Sequence, residues 1–200
     1  MPKQKITLVY QFDELDEKAK ERARDWYREG NCEDNYWSEA VIDDAAEIAT
    51  MLGIDLCQTA YKTMGGETKH KPTVYFSGFW SQGDGACFEG TWRARDVQAA
   101  KLKAYAPQDK ELHRIVEGFA ELATEYPDGY FSVKHRGHYS HSGCTSFDVE
   151  LPNEQEEELE YDSAEWKALR VRLDEDGDTL IQLARDFMDW IYQQLEKEWD

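Results

Sequence analysis

Within His135-Arg136-Gly137-His138-Tyr139-Ser140-His141-Ser142-Gly143-Cys144 stand three of the chain's five histidines and one of its four cysteines, spaced three residues apart. Imidazole and thiolate both ligate metals, which makes His135, His138, His141 and Cys144 candidates for one metal site. Residues three apart on an extended strand face opposite ways, so these four converge only if a turn intervenes, and Gly137 and Gly143 permit one. Polar histidines at a hairpin tip are more commonly solvated or paired with carboxylates. No metal and no cofactor are therefore expected. His141 beside Cys144 would also suit a nucleophilic thiol and its base. A structural cysteine beside a strand is the simpler expectation.

Asp84, in Gly83-Asp84-Gly85, and Glu89 could add carboxylates to this cluster. Together with His135, His138 and His141 they make the enzymatic reading, a small metal-dependent hydrolase. Asp between glycines is also what a tight turn wants, because both residue types tolerate positive φ. The segment Asp174-Glu175-Asp176-Gly177-Asp178 resembles part of a calcium loop, but its glycine comes too early and no glutamate closes the loop. Asp178 reads better as a helix N-cap. Phosphate-binding, zinc-protease, serine-hydrolase and dinucleotide signatures are absent from the sequence, which favours a protein that is not an enzyme.

The elements that must position these residues follow from periodicity. Lys5 to Tyr10 predicts a strand, and residues 16–29 a helix stopped by Gly30-Asn31. A second helix is expected from Asn35 to Leu52 on the stripe Trp37, Val41, Ala45, Ile48, Ala49, Leu52. Strands are expected at 54–62, 72–79 and 86–92, the last two joined as a hairpin through Ser81–Gly85. A helix over 108–124, strands at 130–136 and 145–151, and a helix over 179–199 complete the chain. The reading is an α+β fold: one antiparallel sheet of about five to six strands packed with about four amphipathic helices, as a single domain over residues 1–200. Aromatics in a strand pair belong in a core, so Trp80 and Phe88 are expected inside.

The 200 residues carry 42 acids against 23 bases, a net charge of −19. By segment the net is −7 over residues 1–60, −1 over 61–150 and −11 over 151–200. The aromatic content, 13 % of residues, excludes a disordered acidic chain. The charge argues against direct binding to nucleic acid or an anionic membrane through the whole-molecule field. No run of about twenty apolar residues is present, and a bacterial cytoplasmic location with reduced thiols is expected. Glu154, Glu156, Glu157, Glu158, Glu160 and Asp162 form the densest acidic run, one that would steer the chain toward a basic partner protein.

Phe76-Ser77-Gly78-Phe79-Trp80-Ser81-Gln82-Gly83-Asp84-Gly85-Ala86-Cys87-Phe88-Glu89-Gly90, with Phe12-Asp13-Glu14-Leu15 and His141-Ser142-Gly143-Cys144, resembles a family of phage and prophage proteins. Members are often labelled antitoxins of a toxin–antitoxin stability system. The resemblance implies a mobile-element protein that binds and inhibits a host or toxin protein. Counter-defence inhibitors such as anti-CRISPR proteins and nucleic-acid mimics share its size and acidity. On that reading the binding residues are the acidic run together with Trp80, Gln82 and Asp84 of the aromatic turn.

Overall fold

The structure, a computed structural model, describes residues 10–33, 36–63, 65–153 and 155–199, of which 27–33, 36 and 157 are described by their backbone. It divides into two compact units, Met1–Trp37 and Ser38–Asp200. In the first, a 3-10 turn Phe12–Glu14 precedes α1 (Glu17–Glu33). Asp16 caps α1, its carboxylate accepting the Ala19 N–H at 2.7 Å. The helix runs through Gly30 rather than stopping before it, because a lone glycine weakens a helix without ending it. Lys5–Val9, the body of the expected first strand, lies outside the described residues, and Tyr10 has no regular structure.

The second unit holds α2 (Tyr36–Met51) from Ser38 onward, with Ala45, Ile48, Ala49 and Met51 buried. Gly53 ends it at φ +82°, and a Cβ there would lie 2.8 Å from the Arg93 carbonyl oxygen. Among the described residues, eight short strands follow in chain order: β1 (Ile54–Leu56), β2 (Gln58–Lys62), β3 (Thr68–Pro72), β4 (Val74–Ser77), β5 (Gly85–Phe88), β6 (Gly90–Arg93), β7 (Tyr130–His135) and β8 (Thr145–Glu150). All pair antiparallel, as one four-stranded sheet β1-β6-β7-β8 and two ribbons, β2-β3 and β4-β5. The α+β class stands. The expected single sheet does not, and the reason is a junction of three residues.

Cys57 separates β1 from β2, Thr73 separates β3 from β4, and Glu89 separates β5 from β6. Their backbones bond in a closed triangle: Cys57 N–H to Glu89 C=O at 2.8 Å, Glu89 N–H to Thr73 C=O at 3.1 Å, Thr73 N–H to Cys57 C=O at 2.7 Å. Three strand pairs meet at this triangle, so the chain changes strand partner at each of its corners without a loop. Each of the three residues thus donates one backbone bond and accepts one within the junction. The buried Thr73 hydroxyl shares a 2.7 Å bond with that of Thr59.

Two helices cover the sheet and the β4-β5 ribbon. On α4 (Lys110–Glu125), Leu112, Ile115, Val116, Phe119 and Leu122 are buried at helical spacing, and Asp109 caps it through the N–H groups of Glu111 and Leu112. The other is α6 (Ala164–Trp199), 36 residues long. Its stripe Leu169, Leu173, Gly177, Leu180, Leu183, Ala184, Phe187, Ile191 and Leu195 stays buried throughout, so the expected start at Thr179 is fifteen residues late and Asp178 is no N-cap. Gly118 of α4 lies against Leu183 of α6, where a Cβ would approach the leucine at 2.8 Å. Trp92 sits at the centre, stacked on Phe131 at 5.8 Å and tilted on Phe119 at 5.6 Å, its indole N–H donating to the Leu52 carbonyl at 3.0 Å. Burying such a ring contributes roughly 1.5–3 kcal/mol. Two short helices, α3 (Ala99–Tyr105) and α5 (Gln155–Glu158), were not expected. Among the described residues no helix is long and apolar enough to cross a membrane.

Candidate functional site

The β4-β5 hairpin and the loop after β7 form one tightly fitted surface. At the hairpin tip the Asp84 carboxylate accepts the N–H groups of Trp80 at 2.9 Å and Ser81 at 2.6 Å. Gly78, at φ +46°, makes room for it, since a Cβ there would overlap the carboxylate at 2.3–2.5 Å. Asp84 therefore builds the turn, as Asp does when its side chain replaces a backbone acceptor. Phe79 anchors the base of the turn on α6, stacked on Tyr192 at 5.3 Å and on Trp199 at 5.9 Å. The turn holds Trp80 out in solvent, 81 % exposed, with Gln82 also exposed, while Phe88 is fully buried against Phe187. The expectation that Trp80 lies in the core fails because it belongs to the turn and has no strand partner; Phe88, paired with Val74, meets it.

Residues 136–144 lie across this hairpin. A Cβ on Gly83 would meet the Tyr139 ring at 2.6 Å, and one on Gly85 would meet the His141 Cα and Cβ at 2.6 Å. The histidines are thereby separated by role. His135 closes β7, donates its Nε2–H to the Tyr139 carbonyl at 2.8 Å, and has its ring 4.6 Å from that of Tyr75. The bond to a carbonyl places the proton on Nε2. His138 is exposed, with its ring edge-on to Tyr139. His141 caps the 3-10 turn Ser142–Cys144 by accepting the Gly143 N–H on Nδ1 at 3.1 Å, and its Nε2 lies 3.4 Å from the Cys144 sulfur.

The structure thus joins His141 to Cys144, the pair singled out by spacing, but with a particular polarity. With Nδ1 accepting from the backbone, the neutral ring carries its proton on Nε2 and donates it toward sulfur. That ring can steady a thiolate; it cannot take the thiol's proton while the Gly143 bond holds. Among the described residues no three His, Cys, Asp or Glu side chains gather closely enough to hold a metal ion. Glu89 and His135 do meet, the Glu89 carboxylate accepting the His135 backbone N–H at 3.2 Å.

Sequence reasoning missed two residues here. Tyr75, opposite Cys87 in the hairpin register, is held above the ordinary tyrosine range by burial and then by the Glu89 charge. Burial, with smaller contributions from Cys144 and Glu89, pushes the Cys87 thiol up to about 12. The signal for Tyr75 was its position in the predicted hairpin, read across from Cys87.

The acidic run is distributed differently. Glu154 lies outside the described residues and the side chain of Glu157 is not described. Glu156 bonds Arg170 at 3.0 Å, and Asp162, at φ +68°, pairs with Lys167 at 2.9 Å. Glu158 and Glu160 are exposed, as are Asp174, Glu175 and Asp178 on α6. Beside α5 a cleft of about 790 Å³ opens between Glu125, Asp128, Asn153, Glu156 and Arg172. Arg172 is bound there to Glu125 and lies 3.8 Å from Asp176.

A family model described as "Domain of unknown function (DUF8835)" matches residues 37–200. No curated protein and no solved structure matches the chain.

Proposed function

We propose, for a chain that belongs to the family Domain of unknown function (DUF8835), a non-catalytic inhibitor of phage or mobile-element type. It binds a basic host or toxin protein and works by occupying that partner's surface. The observation that carries this reading is the placement of the acid on ordered elements. Asp174, Glu175 and Asp178 are exposed in the middle of α6, a continuous 36-residue helix, rather than on a flexible tail. A helix rises about 1.5 Å per residue, so Asp174 and Asp178 stand about 6 Å apart at fixed positions. Fixed carboxylates match a fixed row of lysines or arginines without an ordering cost at binding.

Trp80 supplies the other half of an interface. An exposed tryptophan on a turn pinned by Asp84 and Phe79 has the chemistry of a binding hot spot, large apolar area already held in place. Counter-defence or antitoxin action then amounts to competition with the nucleic acid that the basic partner ordinarily handles.

The experiment is affinity capture from bacterial lysate at rising salt, followed by titration of the purified retained protein against the wild-type chain, W80A, and the charge variant Asp174→Asn/Glu175→Gln/Asp178→Asn. A partner of basic pI is expected, released as salt rises, with binding weakened about tenfold or more by either variant, the size of a hot-spot loss. Retention of no basic protein at low salt, or equal affinity for all three chains, removes the proposal.

A further inference from the structure

The β2-β3 ribbon carries charge opposite to the chain around it. Residues 58–72 hold Lys62, Lys69, Lys71 and His70 against Glu67 alone, in a chain whose acids outnumber its bases 42 to 23. Every strand residue of the ribbon except Pro72 is exposed, so neither face is committed to the core. In its register Thr59 lies opposite Lys71 and Tyr61 opposite Lys69, which share one face; Ala60 opposite His70 and Lys62 opposite Thr68 share the other. Cations therefore stand on both faces. Tyr61, 41 % exposed, has the Lys71 ammonium 5.8 Å from its ring centroid.

We propose that this ribbon enters the major groove of duplex DNA, its two charged faces meeting the two phosphate walls. The groove is about 12 Å wide and admits a two-stranded ribbon. An acidic protein surface offers one wall, and a single strand offers none, whereas Lys62 on one face and Lys69 with Lys71 on the other can meet two. The whole-chain charge does not forbid this. Five residue pairs at about 3.4 Å make a ribbon about 17 Å long. That is twice the Debye length of about 8 Å at physiological salt, so the ribbon's end is screened from the acids elsewhere.

The same argument gives the proposal a signature. At about 0.01 M salt the Debye length is about 30 Å, longer than the ribbon, and the acids repel the duplex. At high salt the lysine–phosphate contacts are lost, with a limiting slope of about −3 in log affinity against log salt for three lysines. Binding is strongest between these limits and independent of sequence, since phosphates carry none.

The test is fluorescence anisotropy with the full chain and three labelled probes: a short duplex, one of its strands alone, and polyglutamate. Binding is measured across salt for wild type, for Lys62→Gln/Lys69→Gln/Lys71→Gln, and for the control Lys101→Gln/Lys110→Gln/Lys134→Gln, which removes as many exposed lysines elsewhere. Unchanged circular dichroism and melting verify that both variants fold. The expected result is duplex binding that peaks at intermediate salt, falls about tenfold in the ribbon variant with a flattened salt slope, and is unchanged in the control. No duplex binding at any salt, equal binding by the ribbon variant, or binding of the single strand or polyglutamate as tight as the duplex overturns it.

Discussion

The Glu89 carboxylate accepts the backbone N–H of His135 at 3.2 Å while the Glu89 peptide closes the triangle with Cys57 and Thr73. One residue thus ties the point where three strand pairs diverge to the strand that leads into the histidine loop. Replacing Glu89 by Ala leaves the backbone triangle intact and removes the side-chain bond, so a loss of about 1–2 kcal/mol is expected, in the range for a bond to a partly exposed charged acceptor. Glu89→Gln keeps an acceptor and should lose less than half of that. Urea unfolding of both variants checks the difference; equal losses would assign the effect to packing instead.

Gly85 tests how closely the loop is seated. A Cβ there would stand 2.6 Å from the His141 Cα, backbone that cannot swing aside. Gly85→Ala should destabilise by about 1–3 kcal/mol, the range for overpacking. It should also raise amide exchange at Gly143 and Cys144, whose N–H groups bond within the displaced turn. Gly66→Ala supplies the contrast, because its Cβ would meet nothing within 4 Å and only its φ of +83° costs. Hydrogen exchange at Gly143 and Cys144 should be unchanged in that variant.

Gly177 behaves in the opposite way. It lies in the interior of α6 with no backbone constraint, and a Cβ would make an ordinary 3.9 Å contact with Val149. Gly177→Ala is therefore expected to stabilise by about 0.5–1 kcal/mol, since alanine loses less backbone freedom in a helix. For a chain of this length that corresponds to a rise of about 1–4 °C in Tm. A fall in Tm would show that the Val149 contact is tighter than the geometry indicates.

The same residue explains what could be read from the sequence and what could not. The helices on α2 and α4 were legible because Ala45, Ile48, Ala49 and Leu112, Ile115, Val116, Phe119 repeat at helical spacing. In α6, Asp174 to Asp178 suggested a break, yet Leu173, Gly177 and Leu180 continue the buried stripe beneath exposed acids. Strand β3 was missed because Thr68–Lys71 is exposed on both faces and so shows no alternation. The switches at Cys57, Thr73 and Glu89 exchange one backbone partner for another and leave no mark in side-chain composition. The His141–Cys144 contact was visible as a spacing of three, but its polarity depended on the Gly143 N–H, a backbone bond.

Cys57, Cys87 and Cys144, the cysteines whose side chains are described, are free, and they should differ in reactivity in the order of their burial. Cys87 is fully buried and its thiol is pushed up to about 12, so at pH 8 it holds a negligible fraction of thiolate. Cys57 is exposed. Iodoacetamide labelling of the native chain followed by mass spectrometry should modify Cys57 readily and Cys87 only after denaturation. Rapid labelling of Cys87 in the native chain would mean that the hairpin opens locally from the loop that covers it.

Asp189 makes the fold's stability depend on pH in a direction opposite to that of a salt-bridged acid. Desolvation raises its carboxyl above the ordinary aspartate value, and Asp186 adds to the rise; the Ser142 hydrogen bond, His141 and Arg185 act against it. A carboxyl whose pKa is higher in the folded chain than in the unfolded one favours folding while protonated. That contribution is complete below the unfolded value, near 3.9, and is lost as pH rises through the folded value. At pH 7 the ionised Asp189 therefore opposes folding relative to a neutral group of the same shape. Asp189→Asn keeps an acceptor for Ser142 and removes the charge, so its Tm should exceed the wild-type value at pH 7, with the difference shrinking as pH falls toward 3. A lower Tm for the variant at pH 7 would show that Ser142, His141 and Arg185 together outweigh the desolvation, and that the charge helps to seat the loop on α6.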